Sequence, residues 1–306
     1  MVTVIDRRTF VHGRPATYGT AGEGVPVLLL HGWALGQHTY RDVISAIAEQ
    51  GCRVVAPALP GFGGSAELPG DEFSLRGYAE WVAELLDVVG IDEPMVVVGH
   101  SFGGGVAARF AFDHRSRVRS LVLVNSIGGS SWKDRGVLRS IAERPLWDWG
   151  LHFPGDVWPI RQATRVLPVV VEDLLPNLMR NPRAIVKVAN LARRADLRKE
   201  LEEMRDAGLP ITIIWATRDG IIPRESFEAL CVASGVEGTV VEGSHSWLLA
   251  DPERFGEVIT NDVRVAQAAR DLEAAEPPRT RRGLRRVRTL DPSNGDTASR
   301  RTADGR

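Results

Sequence analysis

Residues 95–105 read Met-Val-Val-Val-Gly-His-Ser-Phe-Gly-Gly-Gly, and they contain the motif Gly-x-Ser-x-Gly around Ser101. The apolar run 95–98 predicts a buried strand, and residues 102–112 predict a helix. A serine between a strand and a helix, flanked by glycines, is typical of a sharp turn that exposes one hydroxyl at the end of a sheet. We interpret Ser101 as a candidate nucleophile. A serine that only caps the helix is the competing interpretation.

Strands and helices are predicted to alternate on both sides of this motif. Apolar runs predict strands at residues 25–30, 52–56, 95–98, 121–124, 211–215 and 238–241. Helices are predicted at residues 37–50, 73–89, 102–112 and 225–232, and after Asp251-Pro252. Residues 2–19 alternate between polar and apolar positions and predict an antiparallel hairpin at the sheet edge. The pattern indicates an α/β fold with a mostly parallel central sheet and helices on both faces.

The alternation of predicted strands and helices stops between residues 128 and 206. This stretch is rich in proline and holds Trp132, Trp147, Trp149 and Trp158. We predict a helical cap at 128–206, inserted between core segments 1–127 and 207–268. Its tryptophans either line a substrate pocket or only fasten the insert to the sheet.

A serine hydroxyl is a weak nucleophile at neutral pH, so a base and a group that orients the base are needed. His245 follows a late strand, and Asp219 follows the strand before it, in a Gly- and Pro-containing turn. The chain order Ser, Asp, His is the one expected when the serine lies in such a turn. We predict Ser101 as nucleophile, His245 as general base and acid, and Asp219 as the residue that orients His245. Asp219 also suits a turn on its own, and His245 could be an ordinary loop histidine.

The chain at residues 31–33, which ends the first buried strand, is the second predicted part of the site. The backbone N–H groups of Trp33 and Phe102 are predicted to form an oxyanion hole. His31 is interpreted chiefly as a brace for the loop. The predicted substrate pocket comprises His31, Gly32, Trp147, Trp149 and Trp247.

The composition argues against several classes of protein: disulfide-rich, membrane-spanning, exported and metal-binding proteins. The chain has 306 residues, a formal net charge of -1, and only the cysteines Cys52 and Cys231, too few for a disulfide framework. No apolar run approaches the ~20 residues of a membrane helix, and the N-terminus is unlike a signal peptide. We expect a cytoplasmic protein without a metal or other cofactor, since no metal-ligand spacing occurs. The oligomeric state is left open.

The C-terminal segment differs in kind from the rest. From Arg270 onward there are ten arginines and no lysine, against six acidic residues, and no aromatic side chain. We predict that residues 269–306 form a disordered Arg-rich tail. Nucleic-acid binding by this tail is the less favoured interpretation, because such charge runs are more often solvated extensions.

The sequence resembles the α/β-hydrolase family. The resemblance rests on residues 28–33, 59–65 and 99–104 and on the loops of Asp219 and His245, in the family's order, and it covers roughly residues 20–268. It implies a mostly parallel sheet with helices on both faces and a helical lid after the sixth strand. Dehalogenases and soluble epoxide hydrolases of this family carry Asp at the nucleophile position, so Ser101 argues against both activities.

The expected function is hydrolysis of a carboxylic ester, or a related acyl bond, of a small and partly apolar substrate. Two alternatives stay open. The run from Ser101 to Gly105 resembles hydrolases that cleave carbon-carbon bonds of vinylogous diketones, although those usually have Asn where this chain has His100. A catalytically idle receptor or binding module is the other alternative, and a complete Ser, Asp and His set argues against it.

Overall fold

A computed structural model describes residues 1–129 and 160–275. Within these ranges, eight strands form one sheet. They are β1 (Ile5–Val11), β2 (Arg14–Ala21), β3 (Val25–Leu30), β4 (Cys52–Pro57), β5 (Met95–His100), β6 (Val118–Val124), β7 (Ile211–Arg218) and β8 (Thr239–Ser244). Their spatial order is β1-β2-β4-β3-β5-β6-β7-β8. All six strands predicted from apolar runs are present, and the predicted fold class is confirmed.

The sheet is parallel from β4 to β8 and antiparallel at β1 and β2. The central parallel strands β3, β5 and β6 are buried on both faces, which explains why they read as continuous apolar runs. Alternate residues of β3 face opposite sides: Leu28 and Leu30 join one core, and Val27 and Leu29 join the other. The predicted edge hairpin is formed by β1 and β2.

Helices cover both faces of the sheet in the described part of the chain. They are α1 (Arg41–Glu49), α2 (Leu75–Val88), α3 (Phe102–Asp113), α4 (Ile160–Arg180), α5 (Pro182–Arg194), α6 (Arg198–Asp206), α7 (Arg224–Ser234), α8 (Trp247–Ala250) and α9 (Pro252–Ala275). The core on one face includes side chains of α2, α3, α6 and α7, and the core on the other includes those of α1, α8 and α9. No helix in residues 1–129 or 160–275 is both long enough and apolar enough to cross a membrane.

Two predicted boundaries can be compared with the helices of the structure. Helix α6 lies inside the predicted cap range 128–206 but belongs to the core, where Arg109 of α3 pairs with Glu200 at 3.2 Å. Shortly before α6, Asp196 forms an antiparallel β-bridge with Gly129. Helix α9 continues to Ala275, past the predicted end of the core at residue 268, although the last buried apolar side chain described on it is Val263.

The predicted helix at residues 37–50 begins at Arg41 instead. Residues 37–40 form a turn, in which the amide of Tyr40 donates to the carbonyl of Gln37 at 3.2 Å. At the other end of the chain, the predicted cap of α9 is confirmed, since Asp251 accepts a hydrogen bond from the amide of Arg254 at 3.2 Å. The rest of the predicted tail, residues 276–306, lies outside the described residues.

Helix α4 is fastened to the loops at the carboxyl end of the sheet. Its Asp173 accepts hydrogen bonds from the amide and the hydroxyl of Thr39, at 2.9 and 2.6 Å. One turn later, Asn177 donates to the carbonyl of Ala34 at 2.9 Å and accepts from the amide of Gly63 at 3.1 Å. These bonds hold α4 over the edge of the sheet where ligands bind in open α/β folds.

Candidate active site

Ser101 lies in a strained turn between β5 and α3. Its backbone has φ 55° and ψ −117°, a conformation that residues with a Cβ rarely adopt. Glycines on both sides of Ser101 allow the backbone segments around this turn to approach closely. A Cβ on Gly99 would lie 2.5 Å from the carbonyl oxygen of Gly103, and a Cβ on Gly103 would lie 2.3 Å from that of Leu30. The Gly-x-Ser-x-Gly motif thus lies in the local structure that the sequence predicted.

Ser101 and His245 line the same cavity, whose volume is about 280 Å³. The cavity lies between the loop after β3, the helices α4 and α5, and the loops of the two candidate catalytic residues. Its lining residues are Gly32, Trp33, Ala34, Leu35, His100, Ser101, Val170, Leu174, Leu178, Ile185, Ile221, His245 and Ser246. Most of this surface is apolar, and the polar groups are gathered at the serine.

His245 is paired with Asp219. The ring Nδ1 of His245 lies 2.9 Å from Oδ2 of Asp219. The side chain of His245 is 7% exposed and that of Asp219 is 0% exposed, so this ion-pair geometry is shielded from solvent. A carboxylate at Nδ1 fixes the proton on that nitrogen and directs Nε2 as the acceptor. The structure therefore brings two of the predicted residues to one cavity and places the third directly behind the histidine.

The carboxylate of Asp219 is held by several donors. Its Oδ1 accepts hydrogen bonds from the amides of Ile221 and Ile222, each at 2.8 Å. Burial by itself raises the pKa of Asp219, but His245 and the hydrogen bonds from His245, Asn125 and Ile222 together hold that pKa below its ordinary value. Asp219 is therefore anionic at neutral pH despite its complete burial.

Sequence reasoning assigned no role to Asn125. Its side-chain amide donates to Oδ2 of Asp219, and its carbonyl oxygen accepts from the indole of Trp247 at 3.0 Å. A polar residue at the end of a buried strand was the available signal, because such a residue needs a partner. Asn125 supports the acid rather than replacing it.

The two predicted oxyanion-hole amides belong to segments that meet at Ser101. Phe102 is the first residue of α3, where backbone amides lack partners within the helix. Trp33 lines the cavity, and its indole donates to the carbonyl of Ile185 in α5 at 2.8 Å. A Cβ on the preceding Gly32 would lie 3.5 Å from the Cβ of Ser101, so this loop passes close to the serine. The oxyanion hole itself stays a prediction.

Two residues of the predicted pocket do not line the cavity. His31 donates from Nδ1 to the carbonyl of Gly32 and accepts at Nε2 from the amide of Leu59, both at 2.8 Å. It is a buried brace, the first of its two predicted roles. Trp247 packs against Phe255 in the core beneath the sheet. Gly32 does line the cavity, and Trp147 and Trp149 lie outside the described residues.

Within residues 1–129 and 160–275, no three His, Cys, Asp or Glu side chains come together in a way that could hold a metal ion.

Comparison with known proteins agrees with this geometry. The profile of the alpha/beta hydrolase fold matches residues 25–152. An uncharacterized protein of Mycobacterium tuberculosis is 30% identical over 295 residues, which cover 89% of this chain and 85% of that protein. The chain belongs to the α/β-hydrolase family.

Other members of the family differ in chemistry. A soluble epoxide hydrolase of Corynebacterium sp. is 40% identical over 126 residues, 41% of this chain and 43% of its own. Among solved structures, a thermophilic esterase from Thermogutta terrifontis superposes with a TM-score of 0.63 at 25% identity, covering 87% of this chain and 99% of its own. Family membership therefore gives a hydrolase fold, and the reaction has to be argued from the site.

The brace formed by His31 predicts a specific pH dependence. Burial lowers the pKa of His31 from 6.5 to about 4, so the folded protein keeps it neutral while the unfolded chain protonates it near pH 6.5. Between these values the unfolded state binds more protons, so this residue's contribution to stability is full above pH 6.5 and is lost as the pH falls towards 4. Its size is on the order of 3 kcal/mol.

The measurement is urea unfolding of the wild type and of His31→Gln from pH 7.5 to pH 4. Gln keeps a donor and an acceptor but does not titrate, so the wild type should lose more stability on acidification and the two curves should converge. Parallel curves would show that His31 is not held neutral by the fold.

Proposed function

We propose that this protein is a serine hydrolase that cleaves a carboxylic ester, or a related acyl bond, of a small and partly apolar substrate. The observation that carries the proposal is that Ser101 and His245 line one apolar cavity while Nδ1 of His245 lies 2.9 Å from the buried carboxylate of Asp219. Nucleophile, base and orienting acid are the three parts that acyl transfer by a hydroxyl requires.

In the first half of the reaction, the hydroxyl oxygen of Ser101 attacks the ester carbonyl and His245 takes the hydroxyl proton at Nε2. Asp219 stabilises the imidazolium that forms. The amides of Trp33 and Phe102 donate to the oxyanion of the tetrahedral intermediate. When the carbon-oxygen bond of the ester breaks, His245 returns the proton to the departing alcohol, which leaves an acyl group on Ser101.

In the second half, water attacks the acyl carbonyl while His245 again acts as base. Collapse of the second tetrahedral intermediate releases the carboxylic acid and returns the proton to Ser101. No redox step occurs, and the proposal requires no cofactor. The strained turn at Ser101 keeps the hydroxyl in place through both halves.

The lining of the cavity supports an apolar acyl or alkyl group as the part that is bound. Leu35, Val170, Leu174 and Ile185 contribute aliphatic side chains around the serine. Burial of apolar surface in such a site favours binding by about 0.8 kcal/mol per methylene. The helices α4 and α5 that supply three of these residues act in this proposal as the cap over the site.

The similarity to a soluble epoxide hydrolase does not extend the proposal to epoxides. In the family resemblance drawn above, that activity goes with Asp at the nucleophile position, where this chain has Ser101. Attack of the Ser101 hydroxyl on an epoxide carbon would form an ether, which has no acyl carbonyl that water could attack to release the product.

The nucleophile is tested with a fluorophosphonate probe, which reacts covalently with activated serine hydroxyls. The wild type should be labelled at Ser101, and Ser101→Ala should not react. Ser126→Ala is a matched control, because Ser126 is also a buried serine near α3 but its hydroxyl donates to the carbonyl of Ile127 at 2.8 Å. Equal labelling of Ser101→Ala and the wild type would refute the proposal.

The bond that is cleaved is tested with a substrate panel. For nitrophenyl esters from acetyl to butyryl, kcat/KM should rise about fourfold with each added methylene, the factor that corresponds to 0.8 kcal/mol. A vinylogous diketone of the ring-cleavage type should be turned over more slowly than the best ester. Faster cleavage of the diketone would favour the carbon-carbon hydrolase alternative, and no turnover in the whole panel would favour a binding module.

A further inference from the structure

We propose that Tyr40 and His100 are positioning residues for hydrolysis, because together they tie the main chain at Gly32 and at His245 to the turn that carries Ser101. This inference rests on the proposed function and adds two residues to it. Neither side chain is expected to contact the reacting atoms. Their role is to hold three separate loops in register at one point of the sheet edge.

A chain of three buried hydrogen bonds carries the inference. The amide of Gly32 lies 2.9 Å from the hydroxyl oxygen of Tyr40. That hydroxyl lies 2.6 Å from Nδ1 of His100, and Nε2 of His100 lies 3.0 Å from the carbonyl oxygen of His245. Tyr40 is 0% exposed and His100 is 1% exposed, so solvent does not compete for these bonds.

With a neutral His100 ring, only one assignment of donors and acceptors satisfies these three hydrogen bonds. A carbonyl oxygen accepts, so Nε2 of His100 carries a proton and donates to His245. A neutral ring then leaves Nδ1 as an acceptor, which the hydroxyl of Tyr40 satisfies as donor. The same hydroxyl oxygen accepts from the amide of Gly32, so each of the donors and acceptors that link Gly32, Tyr40, His100 and His245 has a partner.

The protonation of His100 agrees with this assignment. Burial, with a further contribution from His245, lowers the pKa of His100 from 6.5 to about 3. The ring therefore stays neutral over the pH range in which esterases are assayed. His100 lines the cavity, but both of its nitrogens are engaged, so it is not available as a second base for Ser101.

The consequence is that His245 is held at two points. Asp219 holds the ring through Nδ1, and His100 holds the backbone through the carbonyl oxygen. A side chain held only at its ring could still shift with its loop, whereas this arrangement links the loop to the residue that directly precedes Ser101. The distance between nucleophile and base then depends in part on the hydrogen bond from His100.

The loop that carries Trp33 is held by the first of these hydrogen bonds, between Gly32 and Tyr40. With the Gly32 amide donating to Tyr40, the orientation of the backbone just before Trp33 is fixed. Space is tight at this point, since a Cβ on Gly32 would lie 3.1 Å from the hydroxyl of Tyr40 and 3.2 Å from Nδ1 of His100. Tyr40 itself lies in the turn before α1, beside Thr39, which donates to Asp173 of α4.

Two substitutions of His100 test its two hydrogen bonds separately, the one to Tyr40 and the one to the carbonyl of His245. In His100→Gln, the longer side chain can carry its amide to the position of Nε2 and donate to the carbonyl of His245. In His100→Asn, the side-chain oxygen can occupy the position of Nδ1 and accept from Tyr40, but the side chain is too short to reach His245. Both variants keep a polar, uncharged group in the same buried site.

The measurement is ester hydrolysis by both variants, with kcat and KM determined separately and the thermal unfolding midpoint as a measure of folding. We expect His100→Asn to lower kcat by about 10- to 100-fold with KM changed less than about threefold, because misplacement of a catalytic group by 1 Å can cost about 100-fold. His100→Gln should retain kcat within about threefold. Equal kcat in the two variants, with both folded, would overturn the inference.

Tyr40→Phe gives a second test that does not depend on His100 variants folding. It removes the bond to His100 and the acceptor for Gly32, and kcat should fall by about tenfold or more while KM changes little. Unchanged kcat in folded Tyr40→Phe would contradict the role of Tyr40.

A spectroscopic readout separates failure of this inference from failure of the proposed function. Long-range ¹H–¹⁵N NMR of Ser101→Ala, which needs no activity, should report the Nε2–H tautomer for His100 in the protein, and the Nδ1–H tautomer would overturn the inference. If the wild type failed to react with the fluorophosphonate while this tautomer was observed, the hydrolase proposal would be wrong and the hydrogen-bond chain would stand.

Discussion

The positive φ of Ser101 is the constraint on which the rest of the site depends. A backbone at φ 55° costs free energy for a residue with a Cβ, on the order of 1–3 kcal/mol, and it persists only where the surrounding structure holds it. Here the surroundings are two glycines that allow strand and helix backbones to approach closely, and the amide of Ser101, which donates to the carbonyl of Val124 at 3.0 Å. The strain is local, but it determines where a single hydroxyl meets the cavity.

The second requirement is electrostatic. Asp219 is a fully buried carboxylate, and burial of a charge is unfavourable unless hydrogen bonds compensate it. Two backbone amides, Asn125 and His245 provide that compensation. The same contacts that keep the carboxylate charged also orient the histidine, so stability of the buried ion and readiness for proton transfer depend on the same few atoms. His100 adds a tie to the backbone of His245 from the opposite side.

The sequence predicted the features that depend on neighbours along the chain. The buried strands, the turn at Ser101 and the cap at Asp251 follow from apolar runs, glycine spacing and side-chain capping, all of which are local signals. The roles of Tyr40 and Asn125 could not be predicted in this way, because their partners lie 60 and 94 residues away. Local signals also do not indicate that helix α6 packs against α3, because the ion pair between Arg109 and Glu200 is a tertiary contact. Trp247 is another predicted pocket residue whose surroundings depend on tertiary contacts, since its indole donates to Asn125 and packs in the core.

The proposed hydrolysis requires that the acyl group of the substrate is transferred to Ser101. It is tested most directly by mass spectrometry of protein quenched in acid within the first turnover of a nitrophenyl ester. We expect a mass increase equal to the acyl group, located on the peptide that contains Ser101 and absent from Ser101→Ala. An acyl adduct on a different residue, or an adduct of the same yield in Ser101→Ala, would contradict it.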